Sequence, residues 1–191
     1  IVVGGQRLSG DFTFQQITLD SGADGIPGNT DDTRAVEIGA ANVSLSIGDG
    51  ATNFLSLTNG SGTFVVLGGT PKGLAGRLTV TAALQNIQSV SFSGTLSLEI
   101  NTIGTAVTAN VVVGGFTQTL TLAAGQGNNP YVRVTGTGLT LNIAGQTLSG
   151  TVTFERTGGA TPVVTVTVAN GEIALGDGTH TLVRASNING S

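Results

Sequence analysis

The chain contains no cysteine, no methionine and no tryptophan, and only one tyrosine and one histidine. Without cysteine there is neither a disulfide framework nor a thiolate metal centre. The single histidine, His180, leaves little for general acid–base chemistry, which most often uses imidazole. Aromatic residues make up 4% of the chain, too few for stacking platforms that hold sugars or bases. Charge is scarce at 9%, and the seven Lys/Arg are scattered. Nucleic acid is therefore not an expected partner, nor is an anionic lipid surface, since both are held by clustered basic residues. No apolar run reaches the roughly 18 residues of a membrane span, and no segment shows a helical 3.6-residue period. The opening "IVVGGQ" has no methionine and no signal-peptide pattern, so the chain reads as processed or cut from something longer.

What is abundant is glycine, 31 of 191 residues, with Val, Leu, Ile, Thr and Ser. Val and Thr suit a pleated strand, while Gly and Asn suit turns and bulges. Apolar residues recur at a spacing of two, as at Val107, Ala109, Val111 and Val113, and at Val164, Val166 and Val168. Turn clusters such as "GDG", "GGTPKG" and "GQGNNP" punctuate the chain. The expectation is an all-β protein, an antiparallel meander of about eleven strands joined mainly as hairpins.

The chain also repeats itself. Residues 1–14, "IVVGGQRLSGDFTF", match 141–154, "LNIAGQTLSGTVTF", at seven of fourteen positions and an offset of 140. Further on, "ANVSLSIGDG" (41–50) matches "ANGEIALGDG" (169–178) at an offset of 128, and the match runs in step to Gly62 and Gly190. The offset falls by twelve, so the first copy carries about twelve extra residues between Phe14 and Val36. This reading makes residues 1–140 one full repeat, with a loop insertion at 20–33, and residues 141–191 a partial second repeat.

Within several strands the apolar parity flips. Val36 and Ile38 are even and Val43, Leu45 and Ile47 odd, with "GAAN" between them; Val166 and Val168 give way to Ile173 and Leu175 across "ANG". "NGSG" (59–62) and "TGTG" (135–138) sit at two more flips. An extra residue exchanges a strand's two faces unless the strand bends there. We expect a sheet creased along this line and folded on itself as a flattened barrel, sandwich or solenoid-like repeat, with its two halves enclosing one apolar core. Phe12, Phe14, Phe54, Phe64, Phe92, Phe116 and Phe154 are the aromatic core candidates. The alternative is that the flips are loops between short strands.

The segments "LSGDFTF", "LAGRLTV", "FSGTLSLEI", "PYVRVTGTGLTLNIAGQTLSGTVTF" and "NVSLSIGDG" together resemble the β-strand-repeat regions of very large bacterial extracellular or surface proteins of the adhesin-like kind, over nearly the whole chain. The resemblance implies an extracellular, structural or adhesive role, often with calcium sites.

The insertion bears on calcium. "LDSGADGIPGNTDDT" (19–33) holds four of the eleven acidic residues. The seven acids elsewhere balance the seven Lys/Arg, so this loop carries the whole net charge of −4. Calcium takes six to eight oxygen ligands from turn-rich backbone and carboxylates, and Asp20, Asp24, Asn29, Asp31 and Asp32 offer such a set. The loop departs from an EF-hand, with Gly22 at the third position, Asp31 at the twelfth and no flanking helices. Close carboxylates repel without a counter-ion, and Arg34 offsets only one. The competing reading is a solvated hairpin tip.

No catalytic constellation is expected. His180 lies in a predicted turn and aligns with Thr52 of the other copy. Glu99, Glu155 and Glu172 lie on strands whose alternation places them on an outer face. "GGTPKGLAG" lacks the phosphate-loop spacing, and Asp49 and Asp177 in the "GDG" turns suit local turn hydrogen bonds. Two functional readings follow. One is a structural repeat of an extracellular bacterial fibre, stalk or adhesin, whose edge strands pair with further copies of itself or with adjacent repeats. The other is a β-groove for lipid or another apolar ligand. An open apolar lining favours the second, because a fibre should close and fill its interior.

Overall fold

The computed structural model of the chain describes residues 2–3, 6–19, 33–49, 51–69, 72–125 and 129–191. The regular structure among them is strand alone: β1 (Val2–Val3), β2 (Gln6–Leu19), β3 (Thr33–Gly48), β4 (Asn53–Leu67), β5 (Gly73–Leu84), β6 (Val90–Asn101), β7 (Val107–Val113), β8 (Phe116–Leu122), β9 (Tyr131–Ile143), β10 (Gln146–Arg156), β11 (Val164–Gly176) and β12 (Thr181–Gly190). All but β7 and β8 form one sheet in the order β1-β2-β3-β4-β5-β6-β9-β10-β11-β12, with every neighbour antiparallel. The expected meander is therefore present. It is not closed into a barrel, because β1 and β12 stand at opposite ends. Among the described residues no helix is long and apolar enough to cross a membrane.

One hairpin leaves the meander. After β6 the chain forms the separate pair β7–β8 and returns as β9, which pairs directly with β6. Asn101 ties the base of this excursion. Its Nδ2 donates to the carbonyls of Thr105 (3.0 Å) and Ala123 (2.7 Å), and its Oδ1 accepts from the Ile103 amide (2.8 Å). At the tip, Gly114 and Gly115 (φ +58° and +82°) join Val113 to Phe116 in the two-residue turn whose twist suits a hairpin.

The strict alternation of β7 sends Val107, Ala109, Val111 and Val113 inward, and β8 adds Leu120 and Leu122. Of these, Val107, Ala109, Leu120 and Leu122 pack with Ala35, Val65, Leu67, Ala75 and Tyr131 of the main sheet. The sheet residues beneath are small where β7 comes closest: a Cβ on Gly39 would lie 2.9 Å from Val111 Cγ1. This is a correction to the expected packing. The core is sealed by a hairpin laid on part of the sheet, not by one half of the sheet folding over the other. It is a core of Val, Leu and Ala, and Phe12, Phe14, Phe54, Phe116 and Phe154 are all more than a third exposed.

The four parity flips are bulges in continuous strands, and β12 carries a further bulge at Asn187. Asn42, Asn59, Asn170 and Asn187 adopt φ of 52°, 53°, 53° and 55°, and Gly138 joins them at 58°. Pairing slips beside each of them. Asn is the non-glycine residue that best tolerates this left-handed conformation. The extra residue restores the apolar side chains to one face, which is why the flip in sequence is not a flip in space. A single aliphatic side chain also seats over glycine at each crossing. Cβ atoms built on Gly60, Gly94 and Gly171 would come 2.7 Å from Val43, 2.6 Å from Leu139 and 3.0 Å from Ile188.

Candidate functional site

The three-strand block β2–β3–β4 recurs as β10–β11–β12, with matching side-chain contacts. Gln6 donates to the Gly48 carbonyl (2.6 Å) and accepts from its amide (2.9 Å); Gln146 does the same at Gly176 (2.6 and 2.7 Å). Asp49 Oδ1 accepts from the amides of Ala51 and Thr52 (2.9 and 2.7 Å), and Asp177 Oδ1 from those of Thr179 and His180 (2.8 and 2.7 Å). These bonds hold both carboxyls below the usual carboxylate range. The two turns thus have the expected local role.

The copies differ at their outer side. β4 is covered by β5 along its length, and its Gly60, Thr63, Val65 and Leu67 are buried. The counterpart β12 is the last strand of the sheet, and all ten of its residues are exposed. A row of unpaired amides and carbonyls on a strand of this length is a template for further pairing.

A second open surface is the sheet face turned away from the hairpin. The pleat places there the register partners Phe14, Ile38 and Phe64, and a run of Leu78, Leu98, Val134, Phe154 and Val166 across five strands. Phe14 is 69% and Phe154 53% exposed. Where this face crosses the bulge line at β9–β12 it holds an apolar crevice of about 400 Å³, lined by Phe92, Leu139, Leu148, Val152, Ile173 and Ile188. Contiguous apolar surface of this kind is the type used for protein contacts and for ligand grooves.

No family model, curated protein or solved structure matches the chain.

The charged residues form a ladder instead of a cleft. Arg77, Glu99, Arg133 and Glu155 are successive register partners across β5, β6, β9 and β10. Arg77 Nε donates to Glu99 Oε1 (2.8 Å), Arg133 Nε to Glu155 Oε2 (2.6 Å), and Arg133 Nη1 lies 3.5 Å from Glu99 Oε2. The Tyr131 hydroxyl donates to the same Glu99 oxygen (3.1 Å), and burial, reinforced by the Glu99 charge, pushes its pKa up to about 12. Glu99 is buried, which corrects the outer-face expectation: alternation puts it on one face of β6, and that face meets the hairpin side. Glu172 pairs with Arg184 at 2.8 Å. His180 stands on an exposed turn, its Nδ1 3.4 Å from Asp177 Oδ2. The Arg and Glu side chains thus pair with one another across the strands.

Glu37 on β3 is different. It is 6% exposed with no side-chain partner among the described residues, and burial raises its pKa. Nothing in the sequence marked it, because β3 alternates the same way on either face.

The calcium candidates Asp20, Asp24, Asn29, Asp31 and Asp32 all lie outside the described residues. β2 and β3 stay paired out to Leu19 and Thr33 at the ends of that segment. Among the described residues, no group of three or more His, Asp or Glu side chains could hold a metal ion.

Proposed function

We propose that the chain is a structural repeat of an extracellular bacterial fibre, stalk or adhesin, and that it assembles by pairing along its open strand edge. One observation carries the reading: the same three-strand block occurs twice, once with its outer strand paired (β4 to β5) and once with that strand bare (β12). The extracellular setting rests on the resemblance of the strand segments to bacterial surface repeats.

Adjacent residues of an antiparallel strand direct their amides to opposite sides, so Arg184→Pro and Ala185→Pro form a matched pair. The one that removes an outward amide should abolish assembly, seen as a fall in solution mass and loss of threads in electron micrographs, with the circular dichroism unchanged. The other should weaken the β11 pairing and the fold. Assembly surviving in both folded variants counts against the edge reading.

Calcium stabilisation belongs to the same proposal and rests on the acidic loop. Ca²⁺ should release heat on titration into the chain and none into the Asp20→Asn/Asp24→Asn/Asp31→Asn variant. Equal heats leave the solvated tip as the reading.

A groove for lipid or another apolar ligand is favoured by a separate observation. The apolar face opposite the hairpin is open, whereas a fibre repeat was expected to fill its interior.

A further inference from the structure

The duplicated block says which kind of strand the bare edge fits, and in what register. The inner pairing of β12 reproduces that of β4 pair by pair. On β4 the partners in β3 are Ala40↔Gly62, Val43↔Gly60, Leu45↔Leu57, Ser46↔Ser56, Ile47↔Leu55 and Gly48↔Asn53. Adding the offset of 128 to each residue yields Val168↔Gly190, Gly171↔Ile188, Ile173↔Ala185, Ala174↔Arg184, Leu175↔Val183 and Gly176↔Thr181, which are the observed partners of β12 in β11. The bulge residues correspond as well, Asn59 at φ 53° and Asn187 at φ 55°. Where the copies differ they compensate: Val43 packs over Gly60 in one and Ile188 over Gly171 in the other, so each crossing holds one β-branched side chain.

The outer side of β4 holds β5 antiparallel, with Leu57↔Ala82, Thr58↔Thr81, Ser61↔Thr79 and Gly62↔Leu78. The two bulge residues Asn59 and Gly60 stand opposite Val80 alone. That two-against-one fit locks the register, and a slip by one residue would turn the apolar side chains of the incoming strand to the wrong face.

Resting on the edge reading above, we propose that β12 accepts an antiparallel, unbulged strand of the β5 kind, contributed by an adjoining repeat. Its apolar residues alternate with Thr or Ala, and its register is the one β4 uses for β5. The position equivalent to Ala82 then lies opposite Ala185, that of Thr81 opposite Ser186, and the residue equivalent to Val80 faces Asn187 and Ile188. Its Leu and Val side chains extend the open apolar face by one strand.

The chain has no cysteine, so introduced thiols report without background. The probe is a synthetic peptide of residues 73–84 carrying one cysteine, offered to the full chain bearing Ala185→Cys or Ser186→Cys under mild oxidation. Of the matched combinations, 185 with peptide position 82 and 186 with position 81, one is a non-hydrogen-bonded pair with the shorter Cα separation. That combination should form the disulfide. Ala185→Cys with peptide position 80 or 84, two residues out of register, should not. Preferred capture at 80 or 84, or equal capture at all positions, overturns the proposed register while leaving edge pairing standing. No capture by any peptide, in a chain that assembles and is stopped by the proline variant, overturns the β5-like partner. If the chain does not assemble at all, the edge reading falls first.

Discussion

Asparagine sets the shape of this sheet at four points. Asn42, Asn59, Asn170 and Asn187 accept a left-handed backbone that β-branched neighbours would resist, and each absorbs one extra residue. The positions of Asn42, Asn59 and Asn170 were legible as parity flips, because alternation is a local signal, whereas the bulge at Asn187 emerged only in the structure. Glu37 was not legible. A glutamate in an alternating strand reads the same whether its face meets water or a hairpin, and only the packing of β7–β8 decides which face is closed. Its raised pKa means that ionisation opposes folding. That cost is present in full above the folded-state pKa and absent below the unfolded one. Glu37→Gln should therefore raise the urea midpoint at neutral pH, and the gap from the parent chain should close below about pH 4, the usual glutamate value. A gap that persists in acid would assign the change to packing. Asp49 and Asp177 act in the opposite sense: their depressed values contribute stability that is lost as pH falls through them.

At the scale of elements, the β7–β8 hairpin departs most from the expectation. Its alternating apolar residues match those of every other strand, and no local feature says that it leaves the sheet. Asn101 is the nearest thing to a marker, a fully buried amide that satisfies two carbonyls and one amide at the point of departure. An isolated Asn before a Gly-containing turn is too common to be read that way in advance. The hairpin supplies the lid of the core, and Leu120 is its most enclosed large side chain. Leu120→Ala should cost about 2–5 kcal/mol in urea unfolding, the range for a buried leucine that leaves a cavity. A cost well below 1 kcal/mol would mean that the hairpin is not held to the sheet in solution.

For the whole molecule, the two open surfaces pull the functional reading in different directions. Edge pairing lengthens the sheet and carries the apolar face along with it, so an assembly would present a continuous apolar strip that must itself be covered. A fluorescent fatty-acid probe separates the cases. If the face holds apolar ligands, the chain should bind the probe saturably, and Phe14→Ser with Phe154→Ser should weaken that binding while leaving edge assembly intact. Saturable binding unaffected by these substitutions would place the ligand elsewhere, and no binding would leave the face to protein contacts.

The sequence by itself determined the all-β meander, its turns and most of the bulge line, since each depends on backbone preference and side-chain alternation within a few residues, and it showed the internal duplication directly as matching segments. Only the tertiary structure decided that one hairpin lies on the sheet and that Glu99 is enclosed while Phe14 and Phe154 are open. Alternation divides a strand's residues between two faces but carries no label for which face will be covered. That choice belongs to contacts between segments far apart in the chain.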